Sequence, residues 1–237
     1  MRARAPRCSA LALAALGIAL GACRHRVEPP LAHGSAFESL RSGGHGRSYV
    51  LHVPAQYANQ PVPLLIVLHG FGGNGIRMED GTHFSQLADT ANAIVAYPDG
   101  LRTYGIAGPR HWSSFGDDRT DVDFIRALID HLSKRYRIDS NRVYVAGFSN
   151  GAMMTYRIGA ELADKVAAIG VVAGAIGRRD ESGHATTIRA PSRPVSVVVM
   201  HGVHDERVSY ADSVSARRGV LPVTAAMAFW REHDRCP

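Results

Sequence analysis

Apolar positions along this chain fall into short continuous runs, and the stretches between them carry helical spacing. Residues 64–68, 93–97, 142–148, 166–173 and 195–200 are dense in Val, Ile, Leu and Ala. Continuous runs of that length predict strands buried on both faces, as in a parallel sheet. Residues 47–54 alternate apolar and polar and predict an edge strand. Between the runs, residues 83–92, 152–162 and 223–233 have helical spacing. Val122, Ile125, Ile129 and Leu132 repeat at the same period through residue 136. Thr120 and Asp123 make a capping-box-like start for that helix, with the charges of Asp121, Asp123, Arg126 and Asp130 capping or solvating it. Strand and helix alternate, so the pattern predicts an α/β fold with a mostly parallel central sheet and helices on both faces.

The amino end breaks this pattern. Arg2, Arg4 and Arg7 precede an uncharged run over residues 9–22, too short to span a membrane comfortably. Residues 1–22 are therefore expected to be a signal peptide, residues 23–44 a flexible tether rich in Pro, Gly, Ser and Arg, and residues 45–237 one domain. Leu20-Gly21-Ala22-Cys23 is similar to a bacterial lipobox, which implies lipidation at Cys23; the alternative is ordinary secretory cleavage with Cys23 incidental. The protein is expected outside the cytoplasm, touching membrane only through such an anchor. Cys8 leaves with the signal and Cys23 takes the lipid, so Cys236 stands alone, an odd state for an exported protein.

Composition changes little: 46% of residues are hydrophobic and 20% charged. The formal charge is +6, part of it in the signal, and the arginines are scattered without interleaved aromatics. Nucleic-acid binding is not expected. The histidines lack metal-ligand spacing, and no metal or cofactor is expected.

The candidate chemistry sits where predicted strands end. Gly147-Phe148-Ser149-Asn150-Gly151 is G-x-S-x-G between a strand and a helix, the pattern of a nucleophile elbow. Its glycines relieve crowding around a strained turn, Ser149 is the candidate nucleophile, and the Asn150 N–H lies in a helical first turn that favours an oxyanion. The alternative is a chance match in a Gly-rich chain. His69-Gly70-Phe71-Gly72-Gly73 follows another buried run. It lacks the Lys-Ser/Thr of a phosphate loop and fits an oxyanion loop, with Phe71 N–H the first candidate donor and Gly72 the second. His69 is expected to brace that loop by hydrogen bonds. In the polar loop 100–119, Trp112 is assigned to substrate binding, against the alternative of pinning the loop to the core. Asp205 follows the last β-rich run and is the candidate acid that orients a histidine, with Glu206 and Asp212 weaker and a plain turn residue as the alternative.

With these motifs together, the chain resembles the bacterial secreted polyhydroxybutyrate depolymerase and feruloyl esterase family, including its lipoprotein-type members. The resemblance covers about residue 45 to 237. It rests on residues 68–73, 96–100, Trp112, 121–125, 142–154 and 201–205. It implies an α/β-hydrolase fold and hydrolysis of carboxylic esters by a Ser-His-Asp triad without cofactor or metal. The partner would be a polyester or an ester-decorated polysaccharide. The family's histidine lies in a Gly-His-Thr type segment well past the acid, after another strand. Here His204 adjoins the acid, His233 lies in the helix that precedes that segment, and neither is expected to be the base. The resemblance thus implies that the base, the last sheet strand and a partner for Cys236 lie beyond residue 237. A non-catalytic binder and a serine peptidase on the same fold are the rival readings.

Overall fold

The computed structural model describes residues 33–103, 105–211 and 219–235, all within one compact unit that begins at Ala32. The expected signal peptide, Cys23, Asp212 and Cys236 lie outside the described residues. Strands β1 (Gly34–Ser42), β2 (His45–Val53) and β3 (Val62–Leu68) come first. Helices α1 (Gly75–Thr82) and α2 (Phe84–Ala91) follow, then β4 (Ile94–Pro98). A small hairpin of β5 (Leu101–Arg102) and β6 (Arg110–His111) leads to α3 (Thr120–Arg135), β7 (Ile138–Phe148), α4 (Asn150–Glu161) and β8 (Ala168–Val172). A second hairpin, β9 (Gly177–Arg179) with β10 (Ala185–Thr187), precedes β11 (Ser196–Met200) and α5 (Val223–Asp234). No helix among the described residues is long and apolar enough to cross a membrane.

The main sheet has seven strands in the order β1-β2-β4-β3-β7-β8-β11. From β4 to β11 every pairing is parallel, while β1 and β2 run antiparallel at one end. Two expectations are corrected here. Residues 34–44 are not tether but β1 and its turn, because Gly34 to Ser42 pair with β2 in unbroken register. Consequently β2 is not an edge strand. It lies between β1 and β4, and the polar positions Arg47 and His52 of its alternation are buried and paired with Asp121 and Asp89.

The sheet core follows from register. Val50, Val67, Val95 and Tyr97 share one face and pack with Ala88 of α2. The alternate positions Leu64, Ile66, Ile94, Ala96 and Val145 point to the other face and are fully buried. Helix α4 closes that face, with Gly159 so near Ile169 that a β-carbon would lie under 3.0 Å from its side chain. This double cover fades toward β11. Its Val198 and Met200 are 56% and 61% exposed, and its outer edge has no strand partner among the described residues.

The start of α3 also differs from expectation. Thr120 is the helix's first residue, and Asp118 caps it by accepting the Thr120 N–H at 2.9 Å and the Ser113 hydroxyl at 2.9 Å. The Thr120 hydroxyl first, then the Thr120 N–H and the Ser113 hydroxyl, hold the Asp118 carboxyl down at about 2. Asp121 does not solvate the helix but is buried against Arg47 at 2.6 Å.

Candidate active site

Ser149 stands between the end of β7 and the first residue of α4, with φ 53° and ψ −118°. Left-handed backbone at a residue with a side chain costs on the order of 1–3 kcal/mol and persists only where its surroundings enforce it. The enforcing contacts are visible. The Ser149 N–H donates to Val172 O at 2.9 Å, and the Ser149 carbonyl accepts Met153 N–H at 3.0 Å. A β-carbon on Gly147 would lie under 3.0 Å from the Gly151 carbonyl and the Thr155 hydroxyl. One on Gly151 would lie equally close to the carbonyls of Leu68 and His69. Both glycines are therefore dictated by close approach, and the chance-match alternative has no support in the geometry. Among the described residues no side chain bonds the Ser149 hydroxyl, which is half-buried.

The loop after β3 reaches the same place, since a β-carbon on Gly70 would lie 3.5 Å from the Ser149 β-carbon. Gly73 N–H closes a turn on Gly70 O at 3.0 Å, with Gly72 at φ 75°. Gly72 N–H donates to Arg110 O at 2.8 Å, so the second candidate donor is occupied. Phe71 N–H has no acceptor among the described residues, and Asn150 N–H, first in α4, has none inside its helix. The pair can serve as oxyanion donors. His69 braces the loop as expected. Its Nδ1–H donates to Gly70 O at 2.7 Å and its Nε2 accepts Gly100 N–H at 3.0 Å. Burial lowers its pKa, so the neutral ring that these bonds require is favoured.

Trp112 does not line a cleft. It is 1% exposed, and its Nε1–H donates to His69 O at 2.9 Å. The substrate-binding assignment is corrected to the pinning alternative, because both faces of the indole are enclosed by core and loop. Asn150 completes the pin: its Oδ1 accepts Trp112 N–H at 2.8 Å, and its Nδ2 donates to Trp112 O and Ser114 Oγ, each at 3.1 Å. The elbow residue read for its backbone thus also holds the 111–115 segment with its side chain.

On the other flank, Phe148, Val172 and Met200 are in register across β7, β8 and β11. With strands about 4.8 Å apart, the backbones of Ser149 and His201 lie about 10 Å apart at the same end of the sheet. Asp205 sits on the turn that follows. Its Oδ1 accepts Arg207 N–H at 2.7 Å and Val208 N–H at 3.0 Å, and its Oδ2 faces His201 Nε2 at 3.4 Å. Burial pushes its pKa up, but the Val208 and Arg207 amides and His201 outweigh that, and the net shift is downward. An ionised carboxylate with one oxygen already fixed is what orienting an imidazole requires. Glu206 is exposed and uncommitted to the site. His201 Nε2–H donates to Val208 O at 2.7 Å, while its buried Nδ1 has no partner.

No histidine bridges Ser149 and Asp205 among the described residues. His204 is exposed on the turn. His233 is at the wrong end of the sheet: its neighbour Asp234 accepts Val195 N–H at 3.0 Å, at the start of β11. The five residues of β11 separate that point from the site by about 16 Å. Between β11 and α5 lies a cavity of about 840 Å³ lined in part by Val197, Val199, His201, Val223 and Trp230. Two buried ring nitrogens without partners, the acceptor His201 Nδ1 and the donor Trp230 Nε1–H, belong to these lining residues.

A strained serine turn at the carboxyl end of a parallel strand, ahead of a helix and beside an oxyanion-type loop, defines an α/β-hydrolase fold. Solved structures agree. The chain aligns with pOPH at a TM-score of 0.58 and 16% identity, over 74% of this chain and 68% of that one. It aligns with a ferulic acid esterase at 0.50 and 18%, over 59% and 60%. The family model described as Esterase PHB depolymerase matches residues 47–228, and the chain belongs to that family. Relatives include a putative esterase, NocK, of Nocardia uniformis, 35% identical over 68% of this chain and 46% of that protein. A bifunctional acetylxylan esterase/xylanase of Neocallimastix patriciarum is 31% identical over 72% of this chain and 23% of its own length. Feruloyl esterase B of Piromyces equi is 29% identical over 75% and 33%. The chain spans less than half the length of these curated relatives.

Proposed function

We propose that the chain carries the nucleophile, acid and oxyanion parts of an exported serine esterase. The observation that carries this is the Ser149 backbone, held at φ 53° and ψ −118° by two close-packed glycines, with its hydroxyl unengaged. In the proposed reaction Ser149 Oγ attacks the ester carbonyl as an imidazole removes its proton. The carbonyl oxygen becomes an oxyanion between the Phe71 and Asn150 N–H groups. The imidazolium, steadied by Asp205, returns the proton to the departing alcohol. Water then attacks the acyl-enzyme by the same route in reverse and releases acid and free serine.

The imidazole is proposed to come from a segment that packs along the open edge of β11, into the space between Ser149 and Asp205. Two features support that position. The edge strand exposes apolar residues that a neighbour would cover, and His201 Nδ1 and Trp230 Nε1 lack partners beside it. For substrate, the family description and the relatives' names favour polyhydroxyalkanoate-type polyester or acyl and feruloyl esters on polysaccharide. Export through residues 1–22, with a lipid on Cys23, fits a polymer met outside the cell.

Hydrolysis of p-nitrophenyl acetate with and without added imidazole tests the proposal against Ser149→Ala. Expected is a Ser149-dependent rate that imidazole increases. A rate identical in both proteins at every imidazole concentration would favour the rival, a hydrolase fold that only binds ester-bearing polymer.

A further inference from the structure

The loop that carries Phe71 is clamped by a buried group of charges that the reaction above does not use. Asp99, just past β4, is buried, and its two carboxylate oxygens are divided between two duties. Its Oδ1 accepts Gly75 N–H at 2.8 Å, at the far end of the loop. Its Oδ2 accepts the Ser48 hydroxyl at 2.6 Å and pairs with Arg110 Nη2 at 3.2 Å. Arg110 in turn donates through Nη1 to Gly100 O at 3.0 Å, and its own carbonyl accepts Gly72 N–H at 2.8 Å. The loop is thus gripped at two points just after Phe71, through Arg110 at Gly72 and directly at Gly75.

A second ion pair backs the first. Arg47 donates through Nη2 to Asp99 O at 3.2 Å and to Asp121 Oδ1 at 2.6 Å, with its guanidinium 3.9 Å over the Phe124 ring. Asp121 Oδ2 accepts Ser113 N–H at 2.8 Å, next to the Trp112 backbone that Asn150 holds. Two carboxylates and two guanidiniums balance in charge. Buried ion pairs contribute little net stability relative to apolar packing, so their retention calls for another role, such as specifying one arrangement.

We propose that Asp99 is a positioning residue for ester hydrolysis. Its carboxylate fixes the 70–75 loop so that the Phe71 N–H faces the oxyanion, and Arg110 carries half of that grip. The inference rests on the function proposed above, since it assigns Asp99 a share of oxyanion stabilisation. Donors act in proportion to how well they are aimed before charge develops. A displaced donor therefore lowers kcat and leaves KM nearly unchanged.

The test uses Asp99→Asn, which keeps the shape and removes the charge, together with Arg110→Met and Arg110→Lys. Two readouts are taken: Ser149-dependent hydrolysis of p-nitrophenyl butyrate in the presence of added imidazole, and amide hydrogen exchange at Gly72 and Gly75. Expected for Asp99→Asn and Arg110→Met is a kcat about 10- to 100-fold lower at similar KM, a fraction of the loss seen when a donor is deleted. Gly72 exchange accelerates in both variants, and Arg110→Lys recovers part of both effects. Unchanged exchange at Gly72 and Gly75 in Asp99→Asn overturns the clamp, whatever the activity. So does a kcat that stays at the wild-type value. If the wild-type chain shows no Ser149-dependent hydrolysis, the function reading fails by itself, and the exchange measurement still judges the clamp. If Asp99→Asn does not fold, the Arg110 pair carries the same decision.

Discussion

The two halves of the sheet are built to different standards. From β2 to β7 Leu64, Ile66, Ile94 and Val145 are sealed, and the loop amides of Gly72, Gly73 and Gly75 have partners. From β8 to β11 the cover thins, and Val198 and Met200 meet solvent. The elbow and the oxyanion loop belong to the finished half. Asp205 belongs to the open half. The difference teaches that the backbone strain at Ser149 and the course of the 70–75 loop are set locally, by glycine contacts and buried charges. Among the described residues no group connects Ser149 to Asp205.

That contrast can be broken by substitutions on either side. The largest expected effect is Ile66→Ala, which should cost about 4 kcal/mol in chemical denaturation, whereas Val198→Ala should stay within about 0.5 kcal/mol. Equal costs would mean that β11 is packed as tightly as β3. Next is Gly151→Ala. Its methyl must push against the Leu68 and His69 carbonyls, and about 3 kcal/mol of stability should be lost along with Ser149-dependent hydrolysis. A variant with native stability and rate would show that the elbow tolerates what the geometry forbids. Asn150→Ala removes the side chain that holds Trp112 and Ser114 and should cost about 2 kcal/mol, with loss of the near-ultraviolet signal of the tryptophan loop. An unaltered spectrum would place the pin elsewhere.

The smallest effect concerns the cap of α3. Asp118 has a folded pKa of about 2, below its ordinary value of 3.8. A depressed carboxylate contributes stability that is complete above the unfolded pKa and vanishes as pH falls through the folded one. Asp118→Asn should therefore be less stable than wild type by roughly 0.5 kcal/mol above pH 4, after allowance for its exposure, and the two should converge near pH 2. A constant difference down to pH 2 would remove the charge from the explanation.

The readability of these regions in the sequence differs for physical reasons. The elbow was legible because Gly147 and Gly151 stand at a spacing that only a strand-turn-helix crowding requires. The buried runs 64–68 and 93–97 announced their strands, since double-sided burial leaves no alternation to misread. β1 was not legible, because an outer strand with mostly exposed residues, such as Ser35 and Ser39, looks like linker. β9 and β10 were not legible for the same reason, since Arg178, Arg179 and residues 185–187 are exposed. Trp112 could not be assigned, since a tryptophan in a polar loop has no period to show which way it faces. Arg47, Asp99 and Asp121 were missed as a group. Each looks like a surface charge in its own segment, and only the fold brings residues 47, 99 and 121 together.

The central claim is that Ser149 is a nucleophile prepared by its own turn. Intact-protein mass spectrometry after incubation with p-nitrophenyl acetate and imidazole tests it most directly. The account predicts one acetyl group per chain, mapped to the peptide containing Ser149, absent in Ser149→Ala and undiminished in Val198→Ala. Acetylation at equal levels in the wild type and Ser149→Ala, or none on the Ser149 peptide, would contradict it.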